Sequence, residues 1–335
     1  IASAIQNLNI AIKITPTNDE AYFNIANAYK EEKKYSKAIL NYKTAIKLNA
    51  LHSNAYNNMG IALKELAKID EAVLSYQRAI QIDPYNSKFY NNIGNAFKDQ
   101  KNYDDAVTAF MEAIKINSKY AEAYNNLGIV FIALNEMEKA LHSFNAAMAL
   151  KQNYPEAYNN KGIALKKLKI YDDAEICLRK AIYLRSNDAE AYRNLGAVLD
   201  KKGEKNNAIE AYNNALSIKP DFEGAQVEKL FLHAQLCQWN EIDENRKYIR
   251  KIGTEKQPVQ LFSLLSLDND PAQQLKRAKK YTTNYSSNNA RIYPDALNKK
   301  PRKIKIGYFS SDFRQHPVGY LIAQTIETHN RNEFE

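Results

Sequence analysis

One residue type recurs where a protein core has no use for it. Asn24, Asn58, Asn92, Asn126, Asn160 and Asn194 stand at intervals of 34 residues, and Asn57, Asn91, Asn125 and Asn159 precede four of them. A carboxamide carries donors and an acceptor together, so it can pair with a peptide backbone whatever side chains that backbone bears. The structural alternative is that these amides bond within or between neighbouring helices. A weaker row, Lys30, Lys64, Lys98 and Lys166, could attract acidic chains, but Ile132 and Asp200 interrupt it, and a solvated helix face explains it as well. Other chemistry is sparse. His52, His142, His233, His316, His329, Cys177 and Cys237 show no metal-ligand spacing. No glycine-rich loop is built to cradle phosphate.

The elements that must position these amides follow from the same 34-residue interval. Ala-Tyr or a near variant recurs at Ala21-Tyr22, Ala55-Tyr56, Phe89-Tyr90, Ala123-Tyr124, Ala157-Tyr158 and Ala191-Tyr192, so residues 21–224 form six complete units. Residues 1–20 read as the second half of an earlier unit. Within a unit the first helix carries Tyr56, Met59, Gly60 and Leu63 on one face, spaced i, i+3, i+4, i+7. Glycine returns at Gly60, Gly94, Gly128, Gly162 and Gly196, with Ala26 in the first unit. Inside a helix it costs about 1 kcal/mol relative to alanine, so its return implies a close helix–helix approach. The second helix places Ala at 38, 72, 106, 140, 174 and 208, a large apolar residue four further on, and another Ala three beyond that. Pro16, Pro84 and Pro220 close it, because proline cannot continue the helical ladder. A single helix pair cannot bury its apolar stripe alone, and stacking completes the core.

Composition fits a globular chain: 335 residues, 45% hydrophobic and 25% charged. No apolar run approaches the roughly 20 residues of a membrane span. Two cysteines make no disulfide framework, which points to a cytoplasmic location. The net charge of +9 lies entirely in residues 276–305, where ten basic residues face Asp295 alone. The repeats are therefore neutral overall and present no general polyanion surface. The basic stretch has no interleaved aromatics or reader motif, so nucleic-acid binding ranks behind a solvated connector.

The order small, large, small in successive units is similar to the tetratricopeptide repeat, across residues 1–222. The expected fold is all-α, a superhelical solenoid of helix-turn-helix repeats. A degenerate repeat and helical connector follow over 223–283, with helical periodicity from Val227 to Ile252 and another run from Asp270-Pro271 to about Tyr281. A basic linker occupies 284–302. On residues 303–310 alternation and β-branched content predict a strand, followed by a polar loop through His316 and a helix from Pro317.

Ile304–Gly307, Tyr308-Phe309-Ser310-Ser311-Asp312-Phe313 and His316-Pro317 resemble the opening of the catalytic region of O-linked N-acetylglucosamine transferases, including their bacterial SPINDLY-type relatives. The preceding Cys237-Gln238-Trp239, Leu264–Leu267, Pro271 and Gln274-Leu275 resemble those proteins' connector. The resemblance implies that residues 303–335 begin a Rossmann-like lobe of a GT-B glycosyltransferase, an inverting enzyme that moves a sugar from a nucleotide donor such as UDP-GlcNAc to Ser or Thr. It implies that the asparagine row holds extended acceptor polypeptides on the concave face, and that His316 is an active-site residue. Gly319 and Tyr320 depart from the small polar and His residues common there in animal members, which leaves acceptor and sugar open. The chain starts within a repeat and only 33 residues remain from Lys303, so it is expected to be a fragment of a longer protein, inactive alone, with no cofactor of its own. The competing expectation is a non-enzymatic adaptor that binds extended peptides. Nucleic-acid binding through 276–305 comes third.

Overall fold

The computed structural model describes residues 2–255, 259, 264, 267, 268 and 270–283. Within them the chain is helical throughout. The first helices of the repeats, here the A helices, are α2 (Asp19–Glu31), α4 (Ser53–Glu65), α6 (Ser87–Asp99), α8 (Ala121–Ala133), α10 (Pro155–Lys167), α12 (Ala189–Lys201) and α14 (Glu223–Gln235). The B helices that follow them are α3 (Tyr35–Leu48), α5 (Ile69–Ile82), α7 (Tyr103–Ile116), α9 (Met137–Leu150), α11 (Tyr171–Leu184) and α13 (Lys205–Ile218). Ahead of them α1 (Ala2–Ile14) is a lone B helix. Each of these helices packs on its chain neighbours, and successive A helices from α2 to α12 also touch one another. The A helices thus line the more closely spaced side of the stack.

Two features of the repeat make this regular. The recurrent alanines of the B helices, Ala38, Ala72, Ala106, Ala140, Ala174 and Ala208, are fully buried. The large residues beside them enter the spaces left by the A-helix glycines. A Cβ on Gly60 would lie 2.6 Å from the Tyr76 ring, and one on Gly128 would lie 2.6 Å from Phe144. Gly94 with Phe110, Gly162 with Leu178 and Gly196 with Tyr212 repeat the arrangement. The glycine is kept because an aromatic or leucine side chain occupies the room of its missing methyl.

The turn from A to B helix asks for left-handed backbone at one residue. Lys33, Ala67, Lys101, Asn135, Lys169 and Cys237 adopt it at φ between 56° and 63°, and Gly203 at 84°. Only one of the seven repeats uses glycine there. Hydrogen bonds pull the turn closed, as where Lys34 N donates to Tyr29 O at 2.8 Å.

The expected helical run from Val227 to Ile252 is divided. α14 ends at Gln235, Cys237 takes the left-handed turn, and α15 (Trp239–Glu244) and α16 (Arg246–Ile249) follow. The last described helix, α17, spans Pro271–Thr283, and the Asp270 carboxylate accepts from Ala272 N at 2.9 Å at its start. The basic cluster is not wholly a solvated connector, because Arg277 is only 1% exposed. Its guanidinium donates to Ile252 O and Ile249 O at 2.9 and 2.6 Å and pairs with Asp268 at 2.8 Å, tying α17 to the end of α16. The linker at 284–302, the strand, loop and helix expected from 303, and His316 lie outside the described residues.

Replacing Gly128 by Ala should lower stability by about 1–2 kcal/mol through overpacking against Phe144, although alanine is the better helix former by about 1 kcal/mol. Gly203→Ala, which meets nothing within 4 Å, should cost about 1–2 kcal/mol through backbone strain alone, because its φ is 84°. Urea unfolding of the two variants measures both. A neutral Gly128→Ala would mean that close approach does not explain the recurring glycine.

Candidate functional site: an amide row along the A helices

The six ruler asparagines all lie on A helices, two residues after the aromatic position. Their burial is graded. Asn24 is exposed, Asn58, Asn92, Asn126 and Asn160 are half-buried, and Asn194 is 8% exposed. A purely solvent-facing row would not be enclosed in this way, and hydrogen bonding accounts for it.

From Asn58 onward each amide donates to the repeat before it. Nδ2 of Asn92 donates to Oδ1 of Asn57 at 2.8 Å. Asn126 donates to Asn91, Asn160 to Asn125 and Asn194 to Asn159, each at 3.0 Å and each across 35 residues. The first asparagine of each doublet is therefore the acceptor for the ruler asparagine of the next repeat. Asn57, Asn91 and Asn125 are 5–7% exposed, so the acceptors sit at the bottom of the row. An unpaired buried acceptor costs about 1–3 kcal/mol, which explains why doublets recur together.

Where the doublet is missing, the partner changes. The residue 35 before Asn58 is Phe23, and Asn58 Nδ2 instead donates to Asn27 Oδ1 at 2.9 Å, which also accepts from the Tyr42 hydroxyl at 2.6 Å. At the other end the register reaches Arg193 and Glu228, which replace the amides with an ion pair at 2.5 Å.

These clasps use one N–H of each amide. Among the described residues no hydrogen bond engages Oδ1 of Asn92, Asn126 or Asn160. None of these oxygens is a buried unpaired atom, so each retains contact with solvent. Asn92, Asn126 and Asn160 can therefore each offer a second N–H and an acceptor to a chain laid along the row, whereas Asn58 Oδ1 already accepts from Asn57 Nδ2 at 3.0 Å. The inter-repeat bond weighed as the structural alternative is present, and it coexists with free hydrogen-bonding capacity.

The lysine row is not simply a solvated face. Lys30, Lys64, Lys98 and Lys166 are all half-buried. Desolvation holds the Lys30, Lys98 and Lys166 ammonium groups below the usual lysine range. Lys64 pairs with Asp99 at 2.8 Å, and Lys98 donates to Asn95 at 3.1 Å. No group of His, Cys, Asp or Glu among the described residues could hold a metal ion, and both cysteines are free. No described helix is long and apolar enough to cross a membrane.

A stack of helix-turn-helix pairs locked at a 34-residue interval is a repeat solenoid. Models described as TPR repeat match residues 64–101, 94–134 and 128–169, and models described as tetratricopeptide repeat match 8–39, 155–188 and 189–222. Together they span more than half of the chain, which belongs to the tetratricopeptide repeat family, whose repeats are protein-interaction elements. Among solved structures, the APC/C hetero-tetramer Cut9-Hcn1 is similar over 68% of this chain at 20% identity with a TM-score of 0.60. That match spans 45% of the other chain, just under half its length. PilF of Pseudomonas aeruginosa is similar over 65% of this chain and 97% of its own, at 17% identity and a TM-score of 0.56. Both likenesses concern the fold. No curated protein sequence matches the chain.

If the clasp is an energetic unit, Asn57→Ala and Asn92→Ala should each destabilise the solenoid by about 1–3 kcal/mol. Their double variant should lose less than the sum, by about 0.5–1.5 kcal/mol. Additive losses in urea titrations would show that the two amides do not act on each other.

Proposed function

We propose that this chain is a polypeptide-holding arm, in which the amide row of the A helices receives an extended chain with little preference for its side chains. The observation that carries the reading is the half-use of the Asn92, Asn126 and Asn160 amides: one N–H fixed in a clasp, the remaining donor and acceptor left without a partner among the described residues. The clasp has already removed the side chain's rotational freedom, so less ordering remains to be lost on binding. Each net hydrogen bond contributes about 0.5–1.5 kcal/mol, against an association cost of about 4–15 kcal/mol. Binding through the row alone is therefore weak and sequence-tolerant. That suits a protein meeting many partners.

The likeness of residues 304–317 to the start of O-linked N-acetylglucosamine transferase catalytic regions supports a finer reading. The polypeptides held would be acceptors, the donor UDP-GlcNAc or a similar nucleotide sugar, and Asn24, Asn58, Asn92, Asn126, Asn160 and Asn194 the acceptor-binding row. In that reading His316 stands beside the acceptor hydroxyl, where a neutral imidazole could take up its proton. An adaptor using the same face without sugar transfer agrees equally well with the described repeats.

A photo-crosslinking residue at Ile132, on A helix α8, tests the face against one at Ile176, on B helix α11 and 66% exposed. Unstructured peptides should crosslink at Ile132 and not at Ile176. Equal labelling of both would remove the A-helix face as the binding surface. If the Ile132-linked peptides from a host digest are enriched in chains that accept sugar from UDP-GlcNAc on Ser or Thr, the acceptor reading stands. Without that enrichment the adaptor reading replaces it.

A further inference from the structure

We propose that a pocket between α10, α12 and α14 receives the carboxylate of one Asp or Glu side chain on the bound polypeptide, and so fixes the register of an otherwise sequence-tolerant row. The proposal rests on the polypeptide-holding reading above. It begins where the amide clasps end. At the next step of the 35-residue register, Arg193 and Glu228 stand in for the two asparagines, with Arg193 Nη2 2.5 Å from Glu228 Oε1. They border a cavity of about 520 Å3 that Lys166, Asp200, Lys201 and Tyr212 also line. The ion pair does not satisfy itself, because Arg193 Nε and Glu228 Oε2 are buried without a hydrogen-bond partner.

Lys166 identifies the missing group. Its equivalent three repeats earlier, Lys64, is neutralised by Asp99, 35 residues further on, at 2.8 Å. The residue 35 after Lys166 is Lys201. A like charge therefore occupies the place of the counter-ion. Desolvation, opposed by Glu228 and reinforced by Arg193 and Lys201, keeps the Lys166 ammonium below its usual range. Among the described residues no hydrogen bond or ion pair holds its Nζ. Among the lining residues three cations, Lys166, Arg193 and Lys201, face two carboxylates, Asp200 and Glu228; Arg193 is engaged by Glu228 and, at 4.0 Å, by the exposed Glu190, which leaves Lys166 and Lys201 with Asp200.

One further negative charge balances the pocket. A carboxylate supplies that charge in a form that accepts charge-assisted hydrogen bonds from an ammonium or guanidinium. A phosphoryl group carries up to two charges at neutral pH, which would exceed the deficit and meet Asp200 and Glu228. The location matters as much as the charge. Asn160 lies on α10 with Lys166, and Asn194 lies on α12 beside Arg193, so the pocket adjoins the end of the amide row. A chain held on the amides by its backbone would reach the pocket with one side chain.

The test selects peptides from a displayed random library on the full 335-residue chain and on two variants. Lys166→Met removes the charge and keeps most of the apolar stem. Lys201→Asp, at an exposed position, supplies from within the carboxylate that Asp99 gives to Lys64. Peptides selected on the unaltered chain should share Asp or Glu at one fixed position. A synthetic copy with Gln in place of that Glu should bind about tenfold more weakly. Both variants should still select peptides but without the acidic preference, and circular dichroism checks that each folds. If Lys166→Met fails to fold, Lys201→Asp decides alone. Selected peptides without a fixed acid, or an acidic preference that survives the substitutions, would overturn the pocket while leaving the polypeptide row intact. If no protein selects any peptide, the polypeptide-holding reading falls and this proposal falls with it.

Discussion

The contact on which the molecule depends is that between the large B-helix side chain and the backbone of its own A helix. Tyr76, Phe110, Phe144, Leu178 and Tyr212 are buried to within 2%, and each lies where the methyl group of an alanine at the paired glycine would be. Close-packed interiors tolerate little variation in volume, so the repeated fit gives each pair nearly the same separation. A constant pair geometry lets a 34-residue sequence interval become a constant spatial interval. Without it, hydrogen bonds between residues 35 apart could not recur at 2.8–3.0 Å in four successive places.

The amide clasp follows from that constancy and gives the row two roles at once. Asparagine is a mediocre helix former, and a solenoid built for stability alone would place a better one at this position. Each clasp joins non-adjacent helices, which stiffens the A-helix side of the stack beyond what apolar contact provides. The same bond orients the free half of the amide. A ligand surface assembled from single side chains on a flexible framework would lose more entropy on binding.

Much of this was legible in the sequence. Alanine, glycine and aromatic periodicity located both helices of every repeat and the close approach between them, because core packing depends on residue size. The asparagine row was visible too, but its partners were not. Pairing across 35 residues depends on how one helix pair sits on the next, and only the three-dimensional stack shows that Asn57 serves Asn92. Once known, the doublets Asn57-Asn58 and Asn91-Asn92 read as a donor for one neighbour and an acceptor for the other, and Arg193 with Glu228 as the same device in charged form. Helical periodicity between Val227 and Ile252 concealed the turn at Cys237, since six of the seven A-to-B turns take left-handed backbone at a residue other than glycine. Arg277 reads as a surface cation from its neighbours Lys276 and Lys279, whereas the main-chain carbonyls at the end of α16 draw it inside.

The central claim is that the clasped ruler amides from Asn92 onward are half engaged in the fold and half available. Hydrogen exchange of the side-chain amides, followed by NMR, addresses it directly, because the two Nδ2 protons of one asparagine resonate separately. In the free protein one proton each of Asn92, Asn126, Asn160 and Asn194 should be protected while its twin exchanges at nearly the free rate. Adding a binding polypeptide should slow the second proton along the row. Free exchange of both protons in the unliganded protein would contradict the clasp, and a second proton unaffected by a bound chain would contradict its use in binding.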